Sequence, residues 1–327
     1  MTVAVVFTGG TIASRPDATA GGAVPTLRGE EIIARTPGLA QIAHVEPVDW
    51  GLMPASHMGF TVLIEIARLL DELLARGEVS GAVVVQGTDS IEETCFAYDL
   101  LVRSEKPVIV TGAMRNAAQP DYDGPRNLAD AVRCAASPEL AGMGTLVVMA
   151  GRVIGAERAV KAHASALDAF QPRNGVLVGD VDADGVAVHG PRARVALARV
   201  PGAAAEPVPL VTIVTGMDGT LLRLAGSSRS GGRLPGLVVA ATGAGNTHPD
   251  VLAAATDLMS AGTAVVLTTR CPAGVVAAEY AFPGGGAQWA RAGALLSALD
   301  GPKCRIGVAL GLGAGAGGDE LRRIVRA

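Results

Sequence analysis

Four apolar runs dominate the first 150 residues: VAVVF from Val3, GAVVVQ from Gly81, KPVIVTG from Lys106 and GTLVVMA from Gly144. Each has the length of one strand and is too uniformly apolar to have a wet face. Such runs belong in a parallel sheet covered on both sides. Helical patterns stand between them. TVLIEIARLLDELLARG from Thr61 carries Leu and Ile at three- and four-residue spacing and stops at Gly77, and IEETCFAYDLLVRS follows from Ile91. Strands alternating with helices predict an α/β domain with a parallel, doubly wound sheet. With 49% hydrophobic residues but only 3% aromatic ones, the core has to be built from Val, Leu, Ile and Ala.

The alternation breaks at PRARVALARVPGAAAEPVP, where four prolines and small residues show no period, and this stretch reads as a linker. It resumes in PLVTIVTG, GLVVAATGAGN, the helical DVLAAATDLMSAG and TAVVLTTRCPAG. The predicted organisation is a larger N-terminal domain over 1–190, a linker over 191–209 and a smaller C-terminal α/β domain over 210–327, with no internal repeat of fixed period. Lys and Arg total 27 against 31 Asp and Glu, a net charge of -4. That balance offers no basic footprint for nucleic acid and no polybasic stretch for a membrane surface. The four cysteines, Cys95, Cys134, Cys271 and Cys304, form no CxxC and no metal-ligand spacing. The N-terminus has no leader pattern, and no apolar run is long and charge-free enough to span a bilayer. A soluble cytoplasmic protein without a metal is the expectation.

Two of the strand runs end alike. VAVVF runs into TGGTIA, and VVVQ runs into GTDSIEET. In open α/β sheets ligands sit outside the carboxyl ends of the strands, so Thr11 and Thr88 both fall where a site is expected. Asp89 stands at a helix start, where a carboxylate serves either as a cap or as a functional group. A threonine hydroxyl is a poor nucleophile without a base or a charge beside it. Lys161, in RAVKAHAS, is either a solvated surface residue or, if buried near a threonine and an aspartate, the group that takes the proton.

Taken together, TGGTIA at Thr8, QGTDSIEET at Gln86, TGAMR at Thr111 and DGPRNL at Asp123 resemble the bacterial-type asparaginase family, and VVMAGRVIGAERAVKA at Val147 and GAGN at Gly243 follow in the same order. The resemblance covers nearly the whole chain. It implies that Thr11 attacks the side-chain amide of L-asparagine, giving L-aspartate and ammonia through a threonyl acyl-enzyme with no metal or organic cofactor. It implies that Thr88, Asp89 and Lys161 form a second cluster, in which the lysine makes the threonine nucleophilic or has it position water. Asp89 would also bind the substrate α-amino group. Gly10 and Gly87 would line the pocket, and the backbone N–H groups around Thr88 with that of Ala113 would stabilise the oxyanion. A homodimer or homotetramer is implied, with Asn246 and Glu279 of the smaller domain reaching a neighbour's pocket. His248 reads as a turn residue or a contact.

Two stretches depart from the family pattern. The segment after TGGTIA, SRPDATAGGAVPT, has no tyrosine, where the family carries one that helps the first threonine; the tyrosines are Tyr98, Tyr122 and Tyr280. In GLMPASHMGF, Ala55 stands where relatives place a serine that grips the substrate α-carboxylate, which leaves Ser56 and His57 as candidates. The alternatives these departures raise are a same-fold amidohydrolase acting on glutamine or a modified asparagine, and a silent amino-acid-binding protein. GAGAGG, Gly313 to Gly318, satisfies GxGxxG on paper, but only nine residues follow it. It lacks the second strand and acidic residue of a dinucleotide site and reads as a break before a final helix.

Overall fold

In the computed structural model, which describes residues 1–227 and 233–326, the apolar runs become the centre of an eight-stranded sheet. The strands of the first unit, Met1–Ala196, are β1 (Thr2–Phe7), β2 (Ser14–Asp17), β3 (Gly22–Pro25), β4 (His44–Asp49), β5 (Val79–Val85), β6 (Val108–Thr111), β7 (Thr145–Met149), β8 (Arg152–Gly155), β9 (Ala159–Lys161), β10 (Phe170–Pro172), β11 (Gly179–Val181) and β12 (Val186–Val188). The sheet order is β12-β11-β8-β7-β6-β5-β1-β4, while β2–β3 and β9–β10 form separate antiparallel hairpins.

β1, β5, β6 and β7 are parallel, as the sequence predicts, and β4 joins them in parallel as a fifth strand; the last three are antiparallel, so the sheet is mixed. The reversal has a local cause. Ala150 and Gly151, the two residues between β7 and β8, have φ of 52° and 78°, and a two-residue turn with both φ positive matches the twist of a hairpin. The Ala150 N–H is held by the Asn127 side-chain oxygen at 3.1 Å.

Helices α1 (Gly29–Ala34) and α2 (Leu39–Ile42) are short; α3 (Phe60–Leu74), α4 (Ile91–Leu101) and α5 (Gly124–Ala136) cover the sheet. Helix α5 packs on the face to which Val3, Val5, Phe7, Val83 and Val85 point. The intervening Ala4, Val6, Ala82 and Val84 are equally buried and point to the opposite face, where α3 and α4 pack. Burial on both faces is what makes these runs uniformly apolar.

The second unit, Leu197–Ala327, has a four-stranded parallel sheet of β13 (Leu210–Thr212), β14 (Gly236–Ala241), β15 (Ala264–Thr269) and β16 (Leu295–Leu296). Its helices are α6 (Thr220–Ser227), α7 (Pro249–Ser260), α8 (Gly286–Ala292), α9 (Gly301–Gly313) and α10 (Gly318–Val325). Leu222, Val251, Ala254 and Leu258 of α6 and α7 share a core with Leu237, Val239 and Trp289. The glycines between α9 and α10 separate those two helices.

Residues 192–194 are tied into the first unit. The Arg192 guanidinium is almost fully buried and donates to Asp99 Oδ2 at 2.6 Å and Oδ1 at 3.1 Å, and to Glu157 Oε2 at 2.7 Å. The same Asp99 carboxylate accepts the Thr145 N–H at 2.8 Å. An ammonium keeps the charge but loses the fork that spans both carboxylates. Arg192→Lys is therefore expected to cost about 1–2 kcal/mol, a lowering of thermal unfolding by roughly 4 °C. Scanning calorimetry checks this, and an unchanged midpoint would show that the fork adds nothing to the charge.

Candidate active site

The carboxyl ends of β1, β5 and β6 lie side by side and bring three loops together. The Thr8 N–H donates to the Val85 carbonyl at 2.9 Å and the Gln86 N–H to that of Thr111 at 3.0 Å, so each loop leaves its strand already bonded to the next. Side chains would keep the loops apart. A Cβ on Gly10 would lie 2.2 Å from the Gly87 nitrogen, and one on Gly112 would lie 2.5 Å from the Gln86 carbonyl oxygen. Gly10 also has φ 88° and ψ −174°, a conformation essentially confined to glycine. The TGGT of the first loop and the QGTD of the second thus meet backbone to backbone, and this contact is what the glycines make possible.

Thr88 and Asp89 open a 3-10 turn, Thr88–Ser90, ahead of α4. Lys161, at the end of β9, extends its Nζ to Thr88 Oγ1 at 3.0 Å and to Asp89 Oδ1 at 2.7 Å. The lysine side chain is 14% exposed against 74% for the aspartate. Of the two readings open for Lys161, the solvated one does not hold. Neither does the capping one for Asp89: the N-cap residue of α4 is Ser90, with no side-chain capping bond, and the Asp89 carboxylate accepts from Lys161 Nζ instead. Thr11 begins the 3-10 turn Thr11–Ala13 and is half-buried.

Ala113 is fully buried between two pinned neighbours. The Gly112 carbonyl accepts from Asn127 Nδ2 at 3.1 Å, and the Met114 and Arg115 N–H groups donate to Asp123 at 3.0 and 2.9 Å. DGPRNL therefore fixes the TGAMR loop. Ala55 is buried with its methyl against Gly87, and its carbonyl accepts from Ser90 Oγ at 3.1 Å. Ser56 and His57, the other residues of that short turn, are exposed. The segment after the Thr11 turn is the β2–β3 hairpin. Its ladder runs from Ser14 opposite Pro25 to Asp17 opposite Gly22, and Asp17 closes the tip by accepting the N–H groups of Thr19 and Ala20 at 2.8 Å.

With the site described, the chain can be compared with known proteins. A model of the N-terminal asparaginase domain matches residues 2–194, and one of the glutaminase/asparaginase C-terminal domain matches residues 207–325. The chain belongs to the asparaginase family. It is 35% identical over 332 residues to a probable L-asparaginase of Deinococcus radiodurans, covering 98% of this chain and 96% of that protein. It is 32% identical over 312 residues to an L-asparaginase of Bacillus licheniformis, covering 94% of each. A crystal structure described as a probable cytoplasmic L-asparaginase from Campylobacter jejuni superposes with a TM-score of 0.84 at 25% identity, over 99% of this chain and 98% of that one. By homology the chain is an asparaginase-family hydrolase.

In this family member, the two candidates from the smaller domain lie in the second unit. Asn246 bridges to Thr242, and its side-chain oxygen is buried without a hydrogen-bond partner among the described residues. Glu279 is exposed. His248 caps α7, its Nδ1 accepting the Asp250 N–H at 3.2 Å, so its place is that of a turn residue. No group of three or more His, Cys, Asp or Glu among the described residues is arranged to hold a metal ion, and no described helix is long and apolar enough to cross a membrane.

Sequence reasoning missed several supports. Glu92 Oε2 accepts the Lys161 backbone N–H at 2.9 Å, which fixes the strand end that carries the lysine. Gln86 Oε1 accepts from Thr94 Oγ1 at 3.0 Å, holding the second loop on α4. Tyr122 donates its phenolic hydrogen to the Ile12 carbonyl at 2.9 Å. Glu92 sits inside the QGTDSIEET motif and Tyr122 directly before DGPRNL, so proximity to a motif was the available signal.

Proposed function

We propose that this chain hydrolyses the side-chain amide of L-asparagine to L-aspartate and ammonia, with Thr11 as the nucleophile. The observation that carries the reading is the hydrogen-bonded set Lys161–Thr88–Asp89, with Nζ 3.0 Å from the hydroxyl and 2.7 Å from the carboxylate. A purely binding cleft has little use for a largely covered amine on a threonine hydroxyl. The two L-asparaginases to which the chain aligns over most of its length support the substrate.

In this reading the Thr11 oxygen bonds to the amide carbon, the C–N bond breaks, and the nitrogen leaves as ammonia carrying the threonine's proton. Water then adds to the acyl-threonine ester, the ester C–O bond breaks, and Thr11 regains its hydrogen. Lys161, acting as a neutral amine, takes the water's proton by way of the Thr88 hydroxyl and returns it to the Thr11 oxygen as the ester C–O bond breaks. Backbone N–H groups at Thr88 and Ala113 stabilise the oxyanion, the pinned Gly112–Arg115 loop keeping them preorganised. Asp89, exposed at the rim, binds the substrate α-amino group. Ser56 supplies a hydroxyl for the α-carboxylate. The assembly is a homodimer or homotetramer in which Asn246 and Glu279 complete a neighbour's site. The orphaned Asn246 oxygen supports this part. Cytoplasmic location is supported by the description of the Campylobacter jejuni structure.

The test is ammonia release by the purified protein from L- and D-asparagine, L-glutamine, β-aspartyl amides and simple ω-amides. Release from L-asparagine with k_cat/K_M of at least about 10^4 M⁻¹s⁻¹, and at least tenfold above every other amide, is expected. Faster release from another amide would move the substrate assignment to the pocket change at Ala55 and Ser56. Saturable binding without ammonia from any amide would leave a binding protein.

A further inference from the structure

The turn that carries Thr11 is held by two side chains. Ser14 Oγ donates to the Gly10 carbonyl at 2.8 Å, and Tyr122 Oη donates to the Ile12 carbonyl at 2.9 Å from 110 residues away. These are the carbonyls of the residues on either side of Thr11. Within the turn itself the Ala13 N–H closes back on Gly10 O at 3.0 Å. Rotation of the Thr11 backbone therefore has to break at least one of these bonds.

The Tyr122 ring is seated for this purpose. It is partly buried and packs against the core cluster to which Ile12 and Ala13 belong. A Cβ at Gly124 would lie 2.4 Å from the phenolic oxygen, so only glycine leaves room for the hydroxyl where it is. Burial pushes the phenol up to about 12, which keeps it a hydrogen donor across the neutral range. The next residue, Asp123, holds the Met114 and Arg115 N–H groups. One dipeptide thus grips both the Thr11 turn and the TGAMR loop.

We propose that Tyr122 is a positioning residue for Thr11, setting the nucleophile's turn in register with the TGAMR loop through the Ile12 carbonyl. The proposal rests on Thr11 acting as the nucleophile. Tyr122 touches a backbone carbonyl and not the reacting atoms, so its effect belongs in turnover and not in affinity. Displacing a nucleophile by a fraction of an ångström costs rate steeply.

The experiment compares the intact protein with Tyr122→Phe, which keeps the ring and removes one oxygen. With L-asparagine, k_cat is expected to fall roughly ten- to hundredfold while K_M stays within about threefold. Hydrogen exchange of the free protein supplies a readout independent of activity. Exchange over residues 8–14 should accelerate, while that over 86–92 stays as in the parent. A k_cat within twofold of the parent, or unaltered exchange over 8–14, would overturn the proposal. If Tyr122→Phe lowers thermal unfolding by more than about 10 °C, Ser14→Ala, which releases the other carbonyl, takes its place with the same k_cat and exchange criteria for the clamped turn. Failure of the parent protein to release ammonia would count against the amidase reading alone, because the exchange measurement still reports whether Tyr122 holds the turn.

Discussion

Thr11→Ala is expected to lower ammonia release from L-asparagine by at least about 10^4-fold while the protein stays folded, since no other hydroxyl shares its turn. Thr88→Ala and Lys161→Met should each cost about 10^3-fold, the scale of general acid–base assistance. The three effects should not multiply freely. Lys161 reaches Thr88 Oγ1 directly at 3.0 Å, so the two act as one device, and the Thr88→Ala/Lys161→Met double variant should sit within a few-fold of the worse single one. Steady-state ammonia assays on the four variants and the parent decide the matter. A Thr11→Ala protein that keeps more than a tenth of parental turnover would put the nucleophile elsewhere, and freely multiplying losses at Thr88 and Lys161 would separate their roles.

Gly10→Ala should be among the most damaging single methyls at the site. The added carbon would meet the Gly87 nitrogen at 2.2 Å, and the backbone there has φ 88° and ψ −174°. Strain of about 1–3 kcal/mol from the dihedral region adds to about 1–3 kcal/mol from overpacking against a main chain that cannot swing aside. Thermal unfolding should fall by roughly 10 °C, with activity lost even below the transition because the two threonine loops are pushed apart. Calorimetry with a parallel ammonia assay checks both halves. A midpoint within 2 °C of the parent would mean that the two loops yield easily.

The central strands were legible because sheet position and composition are coupled. β1, β5, β6 and β7 are buried on both faces, and their apolar runs announce it. The strand β4, HVEPVD, was not read. His44, Glu46, Pro47 and Asp49 describe a loop by composition, and Pro47 is tolerated because β4 is the sheet's edge and pairs with β1 alone. The antiparallel strands β8, β11 and β12 were hidden for another reason: the reversal after β7 needs a positive φ at Ala150, which alanine does not advertise. In the site, Thr11 and Thr88 could be found because each ends a strand in the same Gly–Thr pattern. The meeting of Lys161 with Thr88 could not be read locally, and the roles of Glu92, Asp123 and Tyr122 are contacts to distant backbone. Tyr122 lies outside the segment where the family carries its tyrosine, yet its hydroxyl bonds the carbonyl of Ile12, the residue after Thr11.

The glycine-to-glycine contact between the first two loops bears on how such a protein can change. Where main chains touch without side chains, substitution has nothing to work with: every coding change at Gly10 installs a Cβ where none fits. The chemical centre is in this sense closed to gradual variation. What stays open is the exposed turn of Ser56 and His57, where residues can be exchanged without disturbing the threonines. A new substrate preference on this scaffold would therefore be written at the mouth of the site, and the machinery beneath it inherited whole.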